Sequence, residues 1–133
     1  MTILEEGIIA FLKADAAIGV VVADRIYPDM IPQGAVIPCL TYQRISTPRI
    51  VTHDSSGATG DLASPRFQFD AWSETGKEAK AISDVLRGVL HGKKGAMGGV
   101  TIRAALAENE VPEYIPEVEL YRSRSDYKIS HQE

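Results

Sequence analysis

The chain has 133 residues, 44% of them hydrophobic and 24% charged, which is an ordinary composition for a globular protein and argues against extended disorder. This length suits a single domain over residues 1–133. The net charge of −4 gives no reason to expect specific nucleic-acid binding, and no apolar run approaches the ~20 residues that span a bilayer, so we expect neither a nucleic-acid partner nor a membrane.

The N-terminal part of the chain predicts two helices. Thr2 and Glu5 have the spacing of a capping box. The apolar residues behind them recur at helical intervals and are Leu4, Ile8, Phe11 and Leu12. Asp15 is placed to cap a second, short helical turn over residues 16–18.

A proline-rich stretch and a strand follow. Pro28, Pro32 and Pro38 predict an extended surface crossing without ladder hydrogen bonds. Residues 39–45 are rich in β-branched and aromatic types and predict the first strand. Residues 46–65 are mostly Ser, Thr, Gly, Asp and Pro, and we interpret them as a long, flexible hairpin that makes this strand and the next antiparallel neighbours.

The central unit of the predicted core is a strand that leads directly into a helix. Residues 66–72 alternate with a period of two, which buries Phe67, Phe69 and Ala71 on one face. Thr75 and Glu78 form a second capping-box pattern, and Gly92 is the expected stop. The apolar residues of the helix lie on one stripe and are Ala79, Ile82, Val85, Leu86, Val89 and Leu90.

The C-terminal part predicts two more strands. Residues 91–99 read as a flexible basic loop, residues 100–107 alternate as a third strand, and residues 108–117, with two prolines, predict a turn. The fourth strand, 118–130, divides into a core face and a polar face. The core face has Tyr121, Tyr127 and Ile129, and the polar face has Arg122, Arg124, Asp126 and Lys128.

These elements predict an α+β fold with a four-stranded, mainly antiparallel sheet and two principal helices packed on one face. The polar face of the last strand has two interpretations: a solvated sheet face, or a contact with another subunit in which alternating charges set the register. In the second case Trp72, on the polar side of its own strand, is an interface anchor.

The residues offer little for catalysis. His53 and Asp54 adjoin two serines, but triads are assembled across a fold rather than within one loop. Cys39 lies in an apolar stretch and favours a small buried hydrophobe over a nucleophile, although a small hydrolase using His53 or Cys39 is one alternative. The histidines have no metal-ligand spacing, so we expect no metal.

The order of landmarks along nearly the whole chain resembles the tail-completion, or tail-terminator, proteins of long-tailed phages, prophages and gene-transfer particles. The landmarks are Leu4-Glu5-Glu6, Asp24-Arg25-Ile26-Tyr27-Pro28, Pro32-Gln33-Gly34, Ile37-Pro38-Cys39-Leu40-Thr41-Tyr42-Gln43-Arg44-Ile45-Ser46, Arg66-Phe67-Gln68-Phe69-Asp70-Ala71-Trp72, Glu78-Ala79 and Glu117-Val118-Glu119-Leu120-Tyr121-Arg122. The order and spacing of these segments, rather than any single motif, carry the resemblance.

The resemblance implies a structural virion protein, assembled in the bacterial host cytoplasm, that caps the head-proximal end of a tail tube as a ring, by family likeness a hexamer. It implies no enzymatic activity and no cofactor. It implies three partners: further copies of the chain, the tail tube protein and a head-tail connector protein. We expect the interface residues to be Trp72, Arg122, Arg124, Asp126, Ile50, Val51 and His53. The alternative is a small non-catalytic α+β module that binds a ligand or a protein between sheet and helix.

Overall fold

A computed structural model describes residues 3–46, 49–50, 62–63, 65–97 and 100–132. Within these ranges the fold is mixed α+β. The elements in chain order are α1 (Ile3–Ala14), α2 (Ala16–Val22), β1 (Ile26–Pro28), β2 (Cys39–Ser46), β3 (Arg49–Ile50), β4 (Leu62–Ala63), β5 (Arg66–Ser73), α3 (Gly76–Leu90), β6 (Gly95–Met97), β7 (Val100–Ile115) and β8 (Leu120–Gln132). The α+β class is therefore confirmed, and α2 is the short second helix predicted after Asp15, longer than the predicted turn over residues 16–18.

The predicted count of four strands is wrong, because the described strands form one sheet of eight. β8 pairs with β5 and β4 along one side and with β7 along the other. β2 and β3 pair with β5 and β4, so the first long strand and the Phe67 strand are antiparallel neighbours as predicted. β1 adds to β2 in parallel, and β6 adds to β7. The flexible tip predicted for the hairpin falls mainly on residues 51–61, outside the described residues.

Two short strands were missed by the sequence patterns. β1 begins before the stretch predicted as a crossing without ladder bonds, and it is secured by the hydrogen bond from Leu40 N to Arg25 O (2.9 Å). β6 lies inside the predicted flexible basic loop, where Met97 is buried opposite Val100. Three residues are too few to show a period of two, so only the pairing partner reveals such strands.

The predicted turn over residues 108–117 is also wrong. β7 continues to Ile115, and the turn occupies residues 116–119. Pro112 stands opposite Ser123 in the ladder. Beyond Ile102, β7 pairs with β8 alone among the described strands, and such an edge tolerates a residue that has no N–H to donate.

A bulge changes the phase of β7. The register shifts between Ile102 and Ala104, after which Ala105 is buried and Leu106 is 45% exposed. The predicted alternation, which placed Leu106 on the same face as Ile102, is therefore wrong beyond this point, because one extra residue in a strand moves every later side chain to the other face.

The core lies between the helices and one face of the sheet. Apolar side chains from all three helices join one cluster with the inward residues of the strands. The helical members are Leu4, Ile8, Leu12, Ile18, Val22, Ile82, Leu86 and Leu90, and the largest sheet members are Leu40, Phe67, Phe69, Tyr127 and Ile129. Tyr127 and Ile129 therefore confirm the predicted core face of β8, whereas Tyr121, predicted with them, remains 39% exposed near the start of the strand.

The helix caps largely follow the sequence. The Asp15 carboxylate accepts hydrogen bonds from Ala17 N (2.9 Å) and Ile18 N (3.2 Å), as predicted. The Thr75 hydroxyl accepts from Glu78 N (3.1 Å), but the Glu78 carboxylate accepts from the Ser73 hydroxyl instead of reaching back to the cap backbone. Helix α3 ends at Leu90, two residues before Gly92 with its φ of 79°.

Candidate functional site

The face of the sheet opposite the helices, called the open face below, carries a connected set of polar side chains. Successive residues of a strand point to opposite faces, so the burial of Phe67 and Phe69 under the helices sends their neighbours to the open face. The ladder then sets them in pairs across β5 and β8: Gln68 with Asp126, Asp70 with Arg124, and Trp72 with Arg122.

Asp70 and Arg124 form the centre of the open face. Arg124 Nε and Nη2 donate to the two carboxylate oxygens of Asp70 at 3.0 and 3.3 Å, the two-pronged geometry that suits a planar guanidinium. Asp70 is only 8% exposed although it lies on the polar side of the sheet. The hydrogen bond to Asp70 raises the pKa of Arg124, outweighing the opposite effect of burial, so the guanidinium stays charged.

Trp72 and Arg122 form a second, stacked pair at one end of this face. The guanidinium carbon of Arg122 lies 5.5 Å from the Trp72 ring centroid, and the indole N–H donates to Thr41 Oγ1 at 2.9 Å. Arg122 Nη2 also donates to Glu113 Oε1 at 2.8 Å, and this hydrogen bond lowers the pKa of Glu113. The indole is thus held at its N–H and on one ring face, which leaves the half-buried ring with little freedom to lose on binding.

A chain of amide hydrogen bonds continues the network across three strands. Gln68 Nε2 donates to Asp126 Oδ1 at 3.2 Å, and Gln43 Nε2 donates to Gln68 Oε1 at 2.9 Å. The polar groups of the open face are therefore largely paired with one another. The exception is Arg122 Nε, which is buried and has no hydrogen-bond partner among the described residues.

A groove of about 300 Å³ opens onto this network. Polar side chains and the Trp72 ring line one part, and apolar residues from the segment after β1 and from the β7–β8 turn line the other. The lining is Asp29, Met30, Ile31, Gln43, Asp70, Trp72, Val118, Arg122 and Arg124. Met30 and Val118 are 72% and 52% exposed, so this groove offers apolar surface beside fixed charges.

The structure brings together four of the seven predicted interface residues: Trp72, Arg122, Arg124 and Asp126. Ile50 belongs to β3 and pairs with Leu62, but the description does not extend to its side chain. Val51 and His53 lie outside the described residues. The interface role of all seven residues stays a prediction.

Sequence reasoning missed several members of this surface, among them Asp70, Met30 and Glu113. Asp70 has the same strand phase as Trp72, so the alternation that placed Trp72 also contained the signal for Asp70. Met30 and Glu113 had no such signal, because a proline-rich segment and a predicted turn carry no periodicity that assigns a face.

The candidate nucleophile Cys39 lacks the accessible, electropositive setting of a reactive cysteine. Cys39 is buried, and burial raises the pKa of its thiol to about 11, against a weaker opposite effect of the Arg25 charge. An inert thiol fits the predicted small hydrophobe rather than a nucleophile. Within the described ranges, no group of three or more His, Cys, Asp or Glu residues has the arrangement to hold a metal ion, and no helix is long and apolar enough to cross a membrane.

Comparison with known proteins places this fold in a family. A family model described as tail completion protein gp17 matches residues 6–132. No curated protein matches the chain. Among solved structures, a chain in one titled "Virion of native gene transfer agent (GTA) particle" superposes with a TM-score of 0.74 at 18% sequence identity, over 98% of this chain and 95% of that chain. At this identity the superposition establishes a shared fold.

Proposed function

This chain belongs to the tail completion protein family, and from that membership we propose that it caps the head-proximal end of a phage tail tube as an oligomeric ring and helps to join tail to head. The family match confirms the resemblance to tail-completion proteins that the sequence showed. As a member of this family, the protein is a structural component of the virion. The family match over residues 6–132 is the observation that carries the proposal, since it spans the sheet, all three helices and the open face.

The open face supports a contact role in this assembly. Tryptophan and arginine are the residues most enriched at the energetic centres of protein interfaces, and Trp72 and Arg122 are stacked on one another before any partner binds. Arg124 and Asp126 extend the charged part of the same surface. We propose these four residues as the main contact, with Ile50, Val51 and His53 as a second contact from the hairpin.

The proposed partners are further copies of the chain, the tail tube protein and a head-tail connector protein, with assembly in the bacterial host cytoplasm. A ring requires two different surfaces on each subunit that meet head to tail, and a closed rotation of six such contacts gives a hexamer. Assembly of this kind works through the packing of complementary surfaces and the pairing of charges, and no covalent bond is made or broken.

The test is the native mass of the purified protein over a wide concentration range, alone and with tail tubes, followed by electron microscopy. We expect closed rings that bind one end of each tube and stop its growth. A protein that stays monomeric and ignores added tubes would overturn the proposal and leave a monomeric binding module, whose ligand site would be the groove beside Trp72.

The structure also selects the variant for this test. Replacing Arg124 by Glu would set a carboxylate against the nearly buried Asp70 and damage the fold itself, so an exposed groove residue is a cleaner choice. Met30→Asp places a charge in the groove and should weaken ring formation. Val36→Asp is the matched control, because Val36 is 62% exposed in the same proline-rich segment and does not line the groove.

A further inference from the structure

The two ends of the long β7–β8 ribbon carry opposite charge. At one end the turn and its flanks expose Tyr114, Glu117, Val118, Glu119 and Tyr121, called the ribbon tip below. At the other end Lys93, Lys94 and Arg103 are exposed around β6, with Phe11 beside them, and are called the lysine patch. The rise of ~3.3 Å per strand residue separates Ile102, which pairs with Gly95 of β6, from Ile115 at the far end of β7 by roughly 40 Å.

The ribbon tip carries apolar side chains as well as charge. The Tyr114 and Tyr121 rings lie 4.9 Å apart between centroids, and Tyr114 is 50% exposed. Val118 projects to the other side, toward the groove. The half-exposed tyrosine pair therefore offers aromatic surface that a partner could cover.

Charge and aromatic rings at the ribbon tip both favour a cationic partner. Glu117 and Glu119 form no salt bridge among the described residues, whereas Glu113, just before them, is held by Arg122. The faces of the tyrosine rings also attract ammonium groups. A partner surface that carries lysines therefore satisfies both features at once.

The lysine patch has the complementary chemistry. Neither Lys93 nor Lys94 forms a salt bridge to a carboxylate within the described residues. Lys93 Nζ instead lies 5.8 Å from the centroid of the half-buried Phe11 ring, which shows that this ammonium already packs on an aromatic face in the free subunit. The aliphatic stems of the lysines also give the patch apolar area.

We propose that the ribbon tip of one copy docks on the lysine patch of the next copy. Like charges at each end oppose a two-fold dimer through either surface, while opposite charges at the two ends favour head-to-tail association, the contact type that closes into rings. This contact rests on the proposed ring, and it would set the angle between neighbouring subunits.

Charge reversal tests the contact by sedimentation of the full-length protein in low salt. Glu117→Lys with Glu119→Lys, and separately Lys93→Glu with Lys94→Glu, should each weaken self-association by at least about tenfold, because the docked surfaces then carry like charges. The quadruple variant exchanges the signs of the two ends and should recover association to within about threefold. Asp24→Lys, a reversal at another exposed carboxylate, should leave association unchanged.

Each result has one meaning. Rings that form normally in both double variants, or a quadruple variant that remains as weak as the doubles, overturn the inference and leave the proposed function standing. If the isolated wild-type subunit is monomeric, the same variants are compared by the fraction of tail tubes that acquire a ring. A wild-type protein that forms no oligomer alone or on tubes overturns both the inference and the proposed function.

Discussion

The two faces of the sheet are built from the same strands and differ in what their side chains do. On the helix-covered face of β5, Phe67 and Phe69 are buried against apolar partners and fix the fold. On the open face, Asp70 and Trp72 take the intervening positions and hold charged groups in place. Neighbouring residues of one strand belong to the core and to the polar network in turn. A shift of one residue in register would therefore disrupt the core and the polar network together.

The proposed contact on the open face would use side chains whose positions are already set within the subunit. Most polar groups of the open face are paired within the subunit, so a partner meets ordered side chains rather than mobile ones. In the contact proposed above, affinity would come from the apolar groove and from the few polar groups left without a partner, while the paired charges would orient the partner.

The largest expected effect comes from the helix-covered face. Phe69→Ala should lower the free energy of unfolding by about 3–5 kcal/mol, since Phe69 is 1% exposed and its ring contacts those of Tyr42, Phe67 and Tyr127. Urea denaturation measures the loss. Gln68→Ala, one residue away on the open face, should lower the free energy of unfolding by less than about 1 kcal/mol. Equal losses for the two variants would show that the two faces contribute alike to stability.

A smaller effect is expected where helix α1 meets the sheet. A Cβ on Gly7 would lie 2.5 Å from the Met97 carbonyl oxygen, so Gly7→Ala should destabilise the protein by about 1–3 kcal/mol despite the better helix propensity of alanine. Gly88→Ala is the control in α3, because nothing lies within 4 Å of its added Cβ, and it should stabilise by about 0.5–1 kcal/mol. If thermal denaturation shows the same sign for both, the close contact between α1 and β6 is wrong.

On the open face, Asp70→Asn should cost about 1–2 kcal/mol. The change removes the negative charge that Arg124 Nε and Nη2 face, but the Arg124 side chain is 31% exposed and water screens part of the loss. Asp126→Asn, whose carboxylate accepts a single bond from Gln68, should cost less than about 0.5 kcal/mol. An Asp70→Asn protein as stable as wild type would show that the Asp70–Arg124 ion pair orients the two side chains without stabilising the fold.

The smallest effect is a titration. The hydrogen bond from Arg122 lowers the pKa of Glu113 below its ordinary 4.5, so this interaction stabilises the fold above the ordinary pKa and is lost as the pH falls through the lowered one. Arg122→Gln should return the Glu113 carboxyl resonance to an ordinary titration by NMR. Arg87→Gln, at an arginine that pairs with Glu110, should leave it unchanged.

Sequence patterns predicted the parts of the fold in which periodicity is long enough to read. The apolar pattern repeats several times in each of the longer elements, which are α1, α3, β2 and β5. The alternation in β8 likewise separates a tyrosine face from an arginine face over several residues. The same alternation placed Trp72 and the arginines on one face, and the ladder then made them neighbours.

The remaining features depend on contacts distant in sequence. β1 and β6 exist because β2 and β7 offer partners, and Pro112 is accommodated because its half of β7 lies at an edge. The bulge after Ile102 reverses a phase that looked regular. The groove required Met30 and Val118 to meet across about ninety residues of chain, which no local pattern records.

The central claim is that the open face becomes a contact surface in the assembled tail while the helix-covered face is already sealed in the subunit. Hydroxyl-radical footprinting of the isolated protein and of tail-bound protein tests this directly, with oxidation of Trp72 and Met30 measured against buried Tyr127. We predict strong protection of Trp72 and Met30 on assembly and no change at Tyr127. Equal oxidation of Trp72 and Met30 in the two states would contradict the account.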